Sequence, residues 1–367
     1  MKIGARTLKT GLAIFISLSI PYLLGIPDAS SLAGISSIYS MQPSVRKSFS
    51  IVKERILANA IGGLVAVAIT LLFGNHYIFI GLAAALLISI LHQMNLNNVI
   101  GLAGVTLIVI MLSQTQSVVL EASVRVLGTI IGVLVTFVIN SLILPPKYDD
   151  RLYSSIELTT DKITKYLRTS LRKNVQYPII SKDLAWMKKE ISQMENLLSL
   201  LNDETTWYTI LKSERFRVHA RKIVVFRQFI ETIKAAYNLI ETLHYSENVY
   251  NHFPEELRIL MRERLETLMS AHEQILLKFD GRILPDEVNF IAYKSDLRRE
   301  FMDSFFNEAS LEAYTQNDYG QSNSVLHIMS AVLSYEENLQ HLNVLVRSLK
   351  KHHDEKDDEF QEWMPNE

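Results

Sequence analysis

The chain has no cysteine, so disulfides, thiolate-bound zinc and thiol chemistry are excluded. Acidic residues are scarce in its first 147 positions. Only Asp28, Glu54 and Glu121 stand there against nine Lys and Arg, a net charge of +6. Glycine is scarce in the remainder: twelve of the 14 fall before residue 147, while all three tryptophans fall after it. That remainder carries 28 basic and 36 acidic residues, a net of −8, which brings the 367-residue chain to −2. Missing too are a phosphate-cradling glycine loop, His-Glu-x-x-His, Gly-x-Ser-x-Gly and any zinc-ligand spacing. Nothing therefore points to an enzyme, a cofactor, a metal site or a nucleic-acid partner. Without a Walker motif, any transport must draw on an ion gradient or a separate subunit.

What is present divides along the same line. Apolar segments rich in small residues suit lipid and close helix packing, whereas a charged, periodic remainder suits water. Crossing a hydrocarbon core of ~30 Å takes about 20 apolar residues, and candidate spans lie at 7–25, 29–42, 56–74, 76–92, 98–113 and 122–144. The first, behind Lys2, Arg6 and Lys9, is read as a retained span rather than a cleaved signal. Lys and Arg accumulate on the cytoplasmic side. Those three, the connection holding Arg46, Lys47, Lys53 and Arg55, and Lys147 with Arg151 therefore place both termini inside a cell (plasma) membrane.

A fixed offset of seventy residues runs through this half. It aligns Arg55 with Arg125, Gly62 with Gly132, and Leu32-Ala33-Gly34 with Leu102-Ala103-Gly104. The segments 7–74 and 76–144 then read as two repeats of three spans, and an odd number of crossings inverts the second against the first. Inverted repeats of this kind are typical of secondary transporters, which hold substrate at the repeat interface. Segments two and five are the matching glycine-bearing members that point to a path. Substrate-path candidates are Tyr39, Gln42, Arg55, Asn59, Gln114, Arg125, Thr129 and Asn140, with Ser36, Ser37 and Thr106 also at depth. The two arginines read either as an anion-attracting pair, one near each face, or as interfacial anchors that snorkel. Glu121 stands four residues before Arg125, the spacing of a helical ion pair. Gly34, Gly62, Gly63, Gly104, Gly128 and Gly132 are candidate helix-packing positions.

Two prolines, Pro145 and Pro146, close the apolar half. From 148 to 351 the apolar period is helical. Seams such as Leu184–Leu201 and Val325–Leu349 predict an antiparallel cytosolic bundle. Pro254 and Pro285 each open a helix, Lys212–Lys222 reads as a solvated basic face, and 352–367 is expected to be an acidic disordered tail. The fold class is all-α: a six-span domain of two inverted three-helix repeats over residues 1–147, followed by the bundle.

The run Gln42-Pro43-Ser44-Val45-Arg46 leading to Arg55 and Gly62-Gly63, the phrase Arg125-x-x-Gly128-Thr129-x-x-Gly132, and the exit Leu144-Pro145-Pro146-Lys147-Tyr148 together resemble the aromatic acid exporter family. The likeness is to its Gram-positive type with a helical C-terminal domain, which is related to fusaric acid resistance proteins. The first repeat departs from the phrase, with Ala58-Asn59 in place of Gly-Thr. The resemblance implies proton-linked export of small aromatic carboxylates. It also implies a homodimer, because better-known relatives carry two six-span units in one chain. The alternative is a non-transporting, membrane-anchored scaffold or sensor. One feature favours it: the three acids all sit at span edges, leaving no mid-membrane carboxylate to carry a proton.

Overall fold

A computed structural model describes residues 5–42, 44–113, 117–142, 148–170, 177–210, 215–246, 253–284, 295–309 and 319–361. Among the described residues every regular element is helical. The chain forms two compact units, Met1–Pro146 and Lys147–Glu367.

The first unit contains α1 (Ala5–Leu23), α2 (Asp28–Ser40), α3 (Val45–Phe73), α4 (Tyr77–Gln93), α5 (Ile100–Leu112) and α6 (Val118–Leu142), with a 3-10 turn, Asn97–Val99, leading into α5. The stretches Arg46–Phe73 and Val118–Leu142 are long and apolar enough to cross a membrane by length and composition. Thr7–Leu23, Tyr77–Gln93 and Asn97–Leu112 are shorter apolar helices. α2 and α5 have 13 residues each. At about 1.5 Å per residue each reaches only some ~20 Å, less than the thickness of a hydrocarbon core.

α3 begins well before the apolar window at residue 56. The Ser44 hydroxyl accepts the Lys47 N–H at 3.2 Å and caps the helix there. No proline or glycine intervenes to stop it. Arg46, Lys47 and Lys53 therefore lie in its opening turns rather than in a connecting loop, and Arg55 stands about three turns in.

α2 packs on α6, α1 packs on both, and α3 lies against α4, α5 and α6. Close approach rests on small residues. A Cβ at Gly132 would collide with the backbone of Ala33, and one at Gly128 would meet the Ala29 carbonyl at 2.8 Å, so α6 lies directly on the α2 backbone. In the other pairing, a Cβ at Gly62 of α3 would come within 3.2 Å of the Ala103 carbonyl of α5. The contact residues correspond across the seventy-residue offset: Gly62 with Gly132, and Ala103 with Ala33. Each copy's short helix is thus packed against the other copy's long one.

The second unit contains α7 (Tyr148–Ser170), α8 (Tyr177–Ile210), α9 (Arg215–Tyr245), α10 (Glu255–Asp280), α11 (Ser295–Ala309) and α12 (Tyr319–Gln361). α9 packs on α7, α8 and α12, while α10 packs on α7, α11 and α12. α12 carries on to Gln361, past the point where composition suggests a disordered tail. Residues 352–361 hold no helix breaker, and their Lys and Glu are good helix formers. Pro285 and the start of the Lys212–Lys222 run lie outside the described residues. The core is built of large side chains, among them Phe226, Phe229, Phe301, Phe305, Met261, Leu268 and Leu339. Phe279 stacks on Tyr153 at 5.2 Å and meets both Phe226 and Phe229 at 5.5 Å between ring centroids.

Two polar pairs stand out inside this core. Arg264 of α10 is ion-paired with Glu336 of α12, with Arg298 of α11 at 4.0 Å from the same carboxylate. His272 holds the Tyr335 hydroxyl at 2.9 Å through Nδ1 and has Thr160 at 3.4 Å on Nε2. Burial favours the neutral imidazole and pushes the His272 pKa down to about 3; it also drives the Tyr335 phenol upward.

Candidate functional site in the first unit

Arg55 is the centre of a buried polar seam. Its side chain is 6% exposed in a unit whose surface is largely apolar. One guanidinium nitrogen, Nη1, donates to the Ser36 carbonyl at 2.9 Å and to the Ser40 hydroxyl at 3.0 Å, fastening α3 to α2. The Ser40 hydroxyl in turn donates to the Ser36 carbonyl at 2.6 Å. The Tyr39 ring covers the cation at 5.6 Å from its central carbon. Nε is buried with no hydrogen-bond partner. Among the described residues no carboxylate lies within ion-pair distance of Arg55, since Glu54, next in sequence, accepts instead from Ser50 at 2.8 Å. A buried charge without a counter-charge costs several kcal/mol, so its retention here calls for a use.

The seam continues to either side. Asn59, one turn along α3, donates to the Arg55 carbonyl at 3.0 Å and accepts from Thr106 of α5 at 2.7 Å. On α6, Thr136 lies 2.9 Å from the Ser37 hydroxyl, while Asn140 donates to Ser48 at 2.8 Å and to the Gln42 carbonyl at 3.1 Å. Tyr39, Gln42, Asn59 and Asn140 are thereby gathered on contacts between α2, α3, α5 and α6. Thr129 is buried in α6, and Gln114 lies outside the described residues.

Arg125 sits differently. Its Nε donates to Glu121 at 2.9 Å within α6, and the pair is partly exposed. At the packing positions, Gly34 faces the Leu18 side chain and Gly63 is in ordinary contact with Val126, whereas Gly104 opens onto free space.

The two short-helix seams match in backbone but not in chemistry. Ser37, Ser40 and Thr136 of the α2 seam correspond by the seventy-residue offset to Leu107, Ile110 and Ala66 of the α5 seam. Those three apolar residues are fully buried. The polar machinery is concentrated on α2.

Residues 1–143 match the model described as "Aromatic acid exporter family member 1". The chain is 34% identical over 357 residues to "UPF0421 protein YgaE" of Bacillus subtilis (strain 168), spanning 96% of this chain and 97% of that one. It is also similar to UPF0421 proteins of Staphylococcus saprophyticus, at 28% identity over 257 residues, and of Oceanobacillus iheyensis, at 24% over 309 residues. These cover 68% and 80% of this chain, and 74% and 80% of the relatives. The chain belongs to the aromatic acid exporter family.

The family match falls within the first unit, the one that holds Arg55. Sequence reasoning singles out Arg55 and most of its neighbours but passes over Ser40 and Ser48. The available signal was the i, i+4 spacing of Ser36 and Ser40, which puts both on one face of α2.

Proposed function

We propose that the protein is a multi-pass secondary exporter of the cell membrane that carries small aromatic carboxylates outward at the expense of a proton gradient. In this reading the first unit crosses the membrane six times as two inverted three-helix repeats, both termini are cytoplasmic, and the second unit is an antiparallel bundle in the cytosol. The observation that carries it is the reciprocal packing of the short helices. α2 and α5 occupy matching places in the two copies and are too short to cross alone. Each rests on the other copy's long helix, Gly132 on Ala33 and Gly62 on Ala103. Short segments at corresponding positions of two inverted halves mark the binding region of secondary transporters. As the chain holds a single such unit, a homodimer in the lipid bilayer completes the proposal, and recovery of monomer alone after cross-linking in native membranes would count against that part.

The main test is retention of a panel of radiolabelled aromatic acids in cells with and without the protein. Faster loss of one or more acids, abolished when the proton gradient is collapsed, is the expected result. Equal retention across the panel, with the protein present in the membrane, overturns the reading in favour of a membrane-anchored scaffold. That second reading draws on one observation: Glu121, the acid nearest the apolar core of α6, is already paired with Arg125.

A further inference from the structure

We infer that the two arginines are not equivalent, and that Arg55 alone forms the substrate site, binding the carboxylate of a small monoanion through its Nε and Nη2 edge. The inference deepens the export reading and rests on it for the route by which the anion arrives.

The argument begins with which donors are already used. An Arg guanidinium presents a planar fork whose paired N–H groups match the two oxygens of a carboxylate. In Arg55 both hydrogen bonds to protein leave from Nη1, toward Ser36 and Ser40. Nε has no partner, and Nη2 makes no hydrogen bond among the described residues. The side-on edge is the one left without a protein partner, buried at Nε, and α2 fixes its direction by holding the opposite corner. Arg125 has lost that edge, because its Nε is spent on Glu121. Lys9, the other deeply buried cation of this unit, is engaged as well.

The hydroxyls beside Arg55 define what the site takes. Ser40 gives its hydrogen to the Ser36 carbonyl and receives Arg55 Nη1, so it has no proton left for a ligand. The site therefore offers one planar pair of donors rather than the several needed to surround a phosphate or sulfate. That favours one carboxylate over a tetrahedral anion or a dicarboxylate. Tyr39, 60% exposed with its ring over the cation, supplies an aromatic face against which a flat apolar body can lie.

The test is titration calorimetry on the full chain in lipid nanodiscs, with benzoate, neutral benzamide, phthalate and inorganic phosphate as probes. Benzoate should bind the wild type and Arg125→Gln alike, and the other three should bind at least about tenfold more weakly. Arg55→Gln should weaken benzoate by about 10- to 100-fold, the loss expected when a charge-assisted pair is removed. Arg55→Lys keeps a cation beside Ser36 and Ser40 but has no fork, and should show the same loss with an unchanged thermal midpoint. Should both variants misfold, the wild type still decides. The 15N resonance of the Arg55 side chain must shift with benzoate and stay still with benzamide. Benzoate binding that survives Arg55→Lys, fails in Arg125→Gln, or is absent from the wild type overturns the inference. Benzoate held at Arg55 in a protein that exports nothing from cells removes the export reading and leaves the site. Export from cells with Arg55→Lys binding benzoate normally does the reverse.

Discussion

The two units are built inside out relative to each other. Of the large apolar side chains standing exposed among the described residues, thirty belong to the first unit and seven to the second. The first unit buries alanine, glycine, serine, threonine and asparagine, together with Arg55, beside an aliphatic cluster that includes Leu87, Leu107 and Ile110, while the second buries a larger core rich in phenylalanine, leucine and methionine. Burying large apolar groups is the main driving force for folding in water. Between helices already dissolved in lipid that force vanishes, and close backbone contact with polar links takes its place. The contrast indicates which surroundings each unit is made for, and it says the same of their polar interiors. In the second unit Arg264 has Glu336 as counter-charge; in the first, Arg55 has none.

The largest effect sharpens that last contrast. Glu336→Ala strands Arg264 inside the bundle and should cost about 3–5 kcal/mol, read as a lowered thermal midpoint of the purified protein. Arg264→Met with Glu336→Leu, which removes both charges, should recover most of it. Next comes a paired substitution able to break the comparison outright. Leu64 and Leu158 are both exposed, the first at 71% in α3 and the second at 51% in α7. Leu64→Asp should cost about 2.5–3.5 kcal/mol of membrane insertion, seen as lost membrane-embedded protein, whereas Leu158→Asp should stay within about 0.5 kcal/mol. Equal effects would mean that one solvent serves both units.

Smaller still, Gly132→Ala should destabilise by about 1–3 kcal/mol by forcing α6 off α2, while Gly104→Ala, opening onto free space, should be neutral or slightly stabilising in the same melting assay. The last effect shows only as a slope with pH. His272 is neutral in the folded chain, with a pKa near 3, and takes up a proton near 6.5 when unfolded. The unfolded state therefore binds the extra proton between those values. Stability contributed by His272 is complete above 6.5 and falls by about 1.4 kcal/mol per pH unit on acidification toward 3. His272→Gln should flatten that part of the profile in denaturant titrations across pH.

Sequence legibility followed the same division. Helical periodicity was open to reading in both halves, and the Arg125–Gly132 phrase carried the family. Glu121 and Arg125, four apart, close as the spacing predicts. The start of α3 was hidden because hydropathy detects an apolar window, while the helix capped by Ser44 opens with five charged residues, Arg46, Lys47, Lys53, Glu54 and Arg55, that such a window discards. The asymmetry of the arginines was hidden for another reason. The partners of Arg55 lie fifteen and nineteen residues away on a different helix, so only tertiary packing shows that its Nε edge stays unpaired and that of Arg125 does not. Arg264 and Glu336 escaped notice because a seam traced through apolar residues assigns charged positions to solvent.

The account stands or falls on efflux from proteoliposomes containing only this protein, preloaded with labelled benzoate and given a pH gradient. The prediction is gradient-dependent loss of benzoate that Arg125→Gln preserves and Arg55→Lys abolishes. Loss at the rate of empty liposomes, or loss that Arg55→Lys leaves untouched, would contradict it.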